Sequence, residues 1–408
     1  MLAACSADTT DTAQLPDNPG SGLADSVAVG FSARLTDAAV AGTRAEEYTG
    51  YGVMNTDRLK LTGFGVYCWY TGTTSFDNWA SHSHIKDYTV YELMRNQKVE
   101  WDATADVPAW TYSPAKYWPL KNDEMLTLRA YAPYIPYMVL TPQEVVETQG
   151  TPYLPVIVRA DDYCRNRQQD PLWGTSRHDE GGDAVTRDPD YGLHYDNYTY
   201  AMSGTDLVAD ERDGIIDWYF HHGMAMFALQ ATLAQEDPNT EVRLTGVHTG
   251  PFYNEGLLDI FNSPTEKAGD APIWRDRSHP AADDFYVDIA YQHPNDPDNP
   301  TAGTHNDLLN NVLHAGVYQN VAMNGMLVIP RDFSVGQDML LRVTYTETNK
   351  TTGNVVTKSA EAHLNLNVVG NVVYWLQLTL NVEDNTLLVR SFLNLDWQVG
   401  TYDLIDGL

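Results

Sequence analysis

Alternation constrains this chain more than any other feature. Apolar and polar residues exchange with a period of two, the spacing that sends successive side chains to opposite faces of a β-strand. Val27, Val29 and Phe31 alternate with Ala28, Gly30 and Ser32. Leu126, Leu128 and Ala130 alternate with Thr127 and Arg129, and Val242 and Leu244 alternate with Arg243 and Thr245. Leu341, Val343 and Tyr345 lead into a turn at Asn349 to Gly353. The chain returns through Val355 to Leu366 and runs on to Val372, Tyr374, Leu376, Leu378 and Leu380. The punctuation agrees, with 29 Gly and 21 Pro spread among 25 Tyr and 10 Trp, a profile of short aromatic strands between turns. One segment dissents. Gly223 to Ala234 (GMAMFALQATLA) consists of good helix formers, so propensity alone makes it a helix. Its surroundings make it a strand. No repeat of about 20–50 residues recurs, which weighs against solenoids and propellers. The fold class expected is all-β.

The chain has 408 residues. At about 150 residues per domain this suggests two or three domains. Residues 161–213 are polar and rich in Asp and Arg, and they read as a long surface excursion. A hydrophobic run begins near Asp213-Gly214, and Glu266 to His305 reads as a second long loop. The expected division is a tether over 1–24, an N-terminal β-sandwich over 25–210 and a C-terminal one over 211–408. Each half suits one sandwich with decorated loops.

Charge excludes several functions. Lys+Arg is 25 against Asp+Glu 55, a formal net charge of −30. Such a surface repels phosphate backbones, so no nucleic-acid partner is expected, and it disfavours anionic lipid headgroups. No stretch approaches the roughly 18 apolar residues of a membrane span. The three cysteines, Cys5, Cys68 and Cys164, give no disulfide framework. Cys68 and Cys164 alone could pair, and the sequence leaves that open.

Motifs for chemistry are thin. No GxSxG, HExxH, CxxC or phosphate loop occurs, and the chain is not expected to be an enzyme or to need a cofactor. His82-Ser83-His84 has strand spacing for two zinc ligands but no evident third. Asp296, Asp298, Asn299 and Asp307 do not match calcium-loop spacing. Both read as solvated loops, and no catalytic or metal residue is assigned. Trp69, Tyr70, Trp79, Trp101, Trp110, Tyr112, Tyr117 and Trp118 could stack on sugars. At that density aromatics are more often core and strand-face residues.

The start of the chain carries a sharper signal. Leu2-Ala3-Ala4-Cys5 reads as a lipobox, in which small residues precede a cysteine that becomes lipidated. Ser6 to Ala24, rich in Asp, Thr, Pro and Gly, has little to bury and reads as a flexible tether. The expectation is a lipoprotein acylated at Cys5, with thiol chemistry there as the lesser reading.

Several segments together resemble the fimbrillin family of type V pilus subunits. They are the lipobox and tether, the early strand VAVGFSA followed by Thr43-Arg44-Ala45, and the block Phe64 to Trp69. Next come Val99 to Trp101, and Tyr117-Trp118-Pro119 leading to Leu128 to Pro133. The second half adds Tyr219 to His222, Gly325 to Pro330 and Asp396-Trp397. The long excursion at 161–213 departs from a compact pilin. The resemblance implies two tandem transthyretin-like β-sandwiches with loop insertions. It also implies a cell-surface fimbrium subunit, exported as an outer-membrane lipoprotein carrying palmitate. Its partners would be other pilus subunits, an Arg-specific protease and a host glycan or protein receptor. The alternative is a surface lipoprotein or tip adhesin that binds glycans.

Two sites follow. Arg44 is the expected protease site, because Thr36 to Glu47 is small and polar; Arg34 is the competitor at the end of the first strand. Cutting there would remove Cys5 and the first strand together. The expected donor strand begins with Leu393, Leu395, Trp397 and Val399, which share one face of an extended chain. The competing reading makes it an ordinary last strand of its own sandwich.

Overall fold

The structure is a computed structural model. It describes residues 28–35, 52–72, 92–118, 125–136, 153–163, 167–175, 200–201, 215–260, 274–278, 285–290, 311–322, 325–334, 337–395 and 403–404. The alternating segments become strands. In chain order the first are β1 (Gly30–Leu35), β2 (Phe64–Gly72), β3 (Glu92–Asp102), β4 (Ala109–Thr111) and β5 (Met125–Ala132). Then come β6 (Tyr153–Ile157), β7 (Leu172–Thr175), β8 (Tyr200–Ala201), β9 (Ile215–His222), β10 (Ala225–Leu233) and β11 (Thr240–Phe252). The middle of the second half holds β12 (Glu255–Asp259), β13 (Trp274–Ser278), β14 (Phe285–Ala290), β15 (Gln319–Asn320), β16 (Met326–Val328) and β17 (Arg331–Asp332). The chain closes with β18 (Met339–Asn349), β19 (Val355–Leu364), β20 (Asn367–Val368), β21 (Val372–Asn381), β22 (Thr386–Leu395) and β23 (Asp403–Leu404). Among the described residues the one helix is α1 (Thr56–Thr62). Asn55 caps it by accepting from the Arg58 amide at 2.8 Å.

The first sheet runs β1-β9-β7-β5-β2-β3-β4, with β8 beside β5. All of its pairs are antiparallel except β1 on β9. In the second half one sheet runs β15-β10-β21-β22-β23, with β16 beside β10, and its partner runs β14-β11-β18-β19. These two face each other over a core that includes Phe227, Leu229, Val343, Tyr345, Tyr374 and Leu378. A three-stranded sheet, β13-β12-β6, and the short pair β17-β20 complete the set.

The segment Gly223 to Ala234 resolves as strand β10, against its helix propensity. It pairs in parallel with β21 from Met226↔Val373 to Leu233↔Leu380 and is buried on both faces. A continuous apolar run is what a two-sided buried strand needs, and tertiary pairing decides the matter. Two expectations need correction. The stretch 161–213 is no mere surface excursion, because it holds β7, whose Leu172 and Trp173 are buried. Glu266 to His305 likewise holds β13 and β14. Their polar flanks hid short strands, whose described core side chains include Leu172 and Trp173 in β7, Trp274 in β13, and Val287 and Ile289 in β14.

A third core links the sheets. Tyr67, Trp69 and Trp173 of the first sheet meet Met226, Leu327 and Val373, with Leu154, Leu258 and Trp274 of the three-stranded sheet packed alongside. Strand β2 alternates between this shared core (Tyr67, Trp69) and the N-terminal core (Val66, Cys68). Of the described aromatics singled out near it, Trp69 is fully buried and Trp110 and Trp118 nearly so, Tyr70, Trp101 and Tyr112 pack partly buried against the N-terminal core, and Tyr117 stays exposed. Cys68 is a buried free thiol, and burial pushes its pKa far up, so it is inert. Residues 215–222 lie beyond the division expected at 210, yet β9 pairs within the first sheet.

Candidate functional site

The first strand holds an unusual seat. β1 runs parallel to β9 in unbroken register, from Gly30↔Ile215 to Leu35↔Phe220. Its other side is also engaged. The Val29 amide donates to the Lys116 carbonyl at 2.8 Å, the Tyr112 hydroxyl donates to the Val29 carbonyl at 2.6 Å, and Ala28 bridges Tyr117. Thus β1 fills the gap between β9 and the segment that follows β4.

Its side chains enter the N-terminal core. Val29, Phe31 and Leu35 are buried. The Phe31 ring lies 6.2 Å from Phe64, edge to face, and 5.4 Å from Tyr112. Phe64 in turn meets Trp110 at 5.0 Å and Phe220 at 5.3 Å, so an aromatic floor lies under β1. Removing β1 would leave a groove with apolar walls and six residues of unpaired β9 edge. Fully burying one such side chain is worth about 1.5–3 kcal/mol, so three of them represent about 5–9 kcal/mol. That rivals the whole stability of an ordinary domain.

The proposed donor segment lies at the other end of the chain. Leu393 and Leu395 lie in β22, with Leu393 opposite Tyr374 and Leu395 opposite Val372 of β21. Within this chain their backbones are therefore paired in the C-terminal sheet. Among the described residues beyond them, Asp403 and Leu404 return, pairing with Leu393 and Phe392. Trp397 and Val399 lie outside the described residues, as do Cys5 and Arg44. So do His82, His84, Trp79, Cys164, Asp296, Asp298, Asn299 and Asp307. Among the described residues no three His, Cys, Asp or Glu side chains gather into a metal-binding group.

The sequence did not reveal a buried polar clasp. His222 Nδ1 lies 2.7 Å from Asp170 Oδ2, both side chains fully buried, and the Met54 amide donates to the same carboxylate oxygen at 2.8 Å. The His222 amide donates to Asn371 Oδ1 at 3.1 Å. Gln168 donates to the Gly325 carbonyl at 2.8 Å and accepts from the Leu327 amide at 2.7 Å. These contacts tie the entry to α1, the approach to β7, the end of β9 and the edge of the C-terminal sheet. No local signal announces them, because the partners are 52 to 159 residues apart. Next to the clasp, His221 stacks on Trp173 at 4.8 Å; burial, with His222 adding to it, lowers its pKa to about 4.

Parallel entry of an early strand into a sheet and two facing sheets in the second half define a class: an all-β sandwich chain. Comparison with known proteins gives this class a closer setting. No protein-family model and no curated protein sequence matches the chain. Among solved structures it is similar to a fimbrial protein from Bacteroides vulgatus, with 15% identity and a TM-score of 0.58, covering 91% of this chain and 99% of that one. It also aligns with a candidate cell adhesion protein from Bacteroides uniformis, with 12% identity and a TM-score of 0.41, covering 92% and 100%. The B. vulgatus likeness establishes a shared fold over nearly the whole of both chains.

Proposed function

We propose that this chain is a fimbrillin-type subunit of a cell-surface pilus that assembles by strand exchange. The observation carrying the reading is the seat of β1. An early strand fills a gap between two backbone edges, roofs an aromatic groove, and lies between Cys5 and Arg44 in sequence. In this reading Cys5 is acylated and tethers the precursor to the outer membrane. An Arg-specific protease cuts after Arg44 and releases the anchor and β1 in one event.

The vacated groove then offers what an extended peptide recognises: a row of backbone donors and acceptors with apolar pockets beneath. An unfilled edge of this kind also recruits strands indiscriminately, which a covering strand prevents until assembly. The C-terminal segment of another subunit, starting at Leu393, Leu395, Trp397 and Val399, is the proposed donor. Donation requires this segment to leave β21. The chain then acts as two tandem units, the first reaching through β9, one receiving a strand and one giving it. Head-to-tail exchange is a heterologous contact, which yields open filaments. The likeness to a fimbrial fold and the excess negative charge, which limits premature aggregation, support the same reading.

The test is to treat the purified full-length chain with an Arg-specific protease, read the new N-terminus by mass spectrometry, and image the product by electron microscopy. An N-terminus at Ala45 with filaments is the expected result. Persistent monomers that bind a glycan array would favour the surface-lipoprotein or tip-adhesin alternative. An N-terminus that retains β1 in every assembled subunit would overturn the proposal.

A further inference from the structure

Tyr253, between β11 and β12, is flanked by two guanidinium groups. Arg277 of β13 places its guanidinium carbon 5.0 Å from the Tyr253 ring centre, and Arg331 of β17 places its own at 5.2 Å. Both arms are fixed by backbone: Arg277 Nη1 donates to the Pro330 carbonyl at 2.9 Å, and Arg331 Nη1 donates to the Pro251 carbonyl at 3.0 Å. Arg331 Nη2 reaches Gln337 Oε1 at 3.1 Å, and its guanidinium also lies 5.3 Å from the Phe333 ring. Arg277 is exposed and Arg331 half-buried.

The anomaly is electrostatic. The chain has 55 acids against 25 bases, yet neither of these arginines meets a carboxylate among the described residues. Other strand arginines do: Arg342 pairs with Glu361 at 2.5 Å, and Arg243 with Glu241 at 3.0 Å. The nearest acid in sequence to Arg331, Asp332, is committed to its own turn, accepting from the Ser334 amide at 2.8 Å and hydroxyl at 2.5 Å. Each guanidinium is held in place with N–H groups to spare, and each presents a pre-organised fork to a carboxylate. Holding them rigid lowers the entropy lost when a partner arrives.

We propose that the Arg277–Tyr253–Arg331 cluster is a contact through which the chain binds the acidic surface of a second copy of itself. Charge complementarity selects this occupant. Two copies at a net charge of −30 each repel, so stable contact requires that basic points on one meet acidic ground on the other. Arginine and tyrosine are also the residues that dominate interface energetics. A sugar is less well served here, because both guanidiniums crowd the ring that would have stacked on it. The contact needs no proteolysis and is separate from strand exchange.

The test uses the full-length, uncut chain in sedimentation experiments at low and high salt, comparing the wild type with Arg277→Gln/Arg331→Gln and Arg277→Lys/Arg331→Lys. Self-association should weaken about tenfold in the glutamine variant, a loss of about 1.4 kcal/mol. The lysine variant should fall between, since it keeps charge and loses the fork. High salt should abolish the difference. Matching thermal melts would exclude misfolding. A wild type that stays monomeric at low salt, or a glutamine variant that associates equally, would overturn the proposal. So would a wild type that binds uronate glycans on an array through these arginines without self-associating. Because no protease is used, failure here leaves the strand-exchange reading untouched.

Discussion

Glu92 shows how one side chain couples this core to pH. It stands on β3 opposite Trp69, with its side chain 7% exposed and Arg95 at 3.7 Å. Burial raises its pKa to about 7, and Arg95 pulls it down only in part. The folded state therefore holds a proton that the unfolded chain has lost, so stability falls as pH rises from the ordinary carboxylate range through about 7. Glu92→Gln removes this dependence. Its melting temperature should match the wild type near pH 5 and exceed it at pH 8, by an amount corresponding to about 1–3 kcal/mol at 1.36 kcal/mol per unit. Melting curves at the two pH values check this, and equal values at both would refute it. His221 acts in the opposite direction. Its pKa is lowered to about 4, so its contribution is present above the ordinary imidazole range and is lost as pH falls toward 4. Asp170 carries a larger penalty. Asp170→Ala leaves His222 and the Met54 amide without their shared carboxylate and should cost about 3–5 kcal/mol in denaturant unfolding.

At the scale of elements, β1 carries the functional argument. Phe31→Ala deletes the ring that packs on Phe64 and Tyr112 and should cost about 3–5 kcal/mol by chemical denaturation of the uncut chain. After cleavage at Arg44 the same substitution should have no effect, because β1 has left. A variant equally destabilised before and after cutting would show that β1 stays in place. Strands such as β1, β18 and β21 were legible in the sequence because each has one face buried and the other only half-buried, and alternation reports that directly; β5 also alternates in sequence, yet its Arg129 and Tyr131 are buried as fully as Leu128 and Ala130. β10 was legible only through its neighbours, since both its faces are buried and its composition is helical. β7, β13 and β14 were invisible for a different reason. They span only four to six residues within polar segments, too short for a period to register. The parallel pairing of β1 with β9 joins residues about 185 apart in sequence, and nothing local encodes such a partner. The Asp170–His222 clasp and the Arg277–Tyr253–Arg331 cluster were hidden for the same reason.

For the whole molecule, the shared core is decisive. Tyr67, Trp69 and Trp173 pack with Met226, Leu327 and Trp274 across the halves, and the Asp170–His222 clasp closes the same joint. Two halves joined by a shared buried core should unfold together. Calorimetry of the uncut chain should give one transition, and Trp173→Ala should lower it without splitting it. Two resolved transitions in the wild type would contradict a common core. The central claim, that β1 occupies a seat meant for another subunit's strand, has a direct measurement. The chain is cut at Arg44, residues 1–44 are removed, and a synthetic peptide of residues 393–408 is added while thermal melting is followed. The account predicts that removing 1–44 lowers the melting temperature sharply, that the peptide restores most of the loss, and that a peptide with Leu393, Leu395, Trp397 and Val399 changed to Asn does not. A cut chain that melts like the intact one, or one rescued by residues 25–44 but not by 393–408, would contradict it.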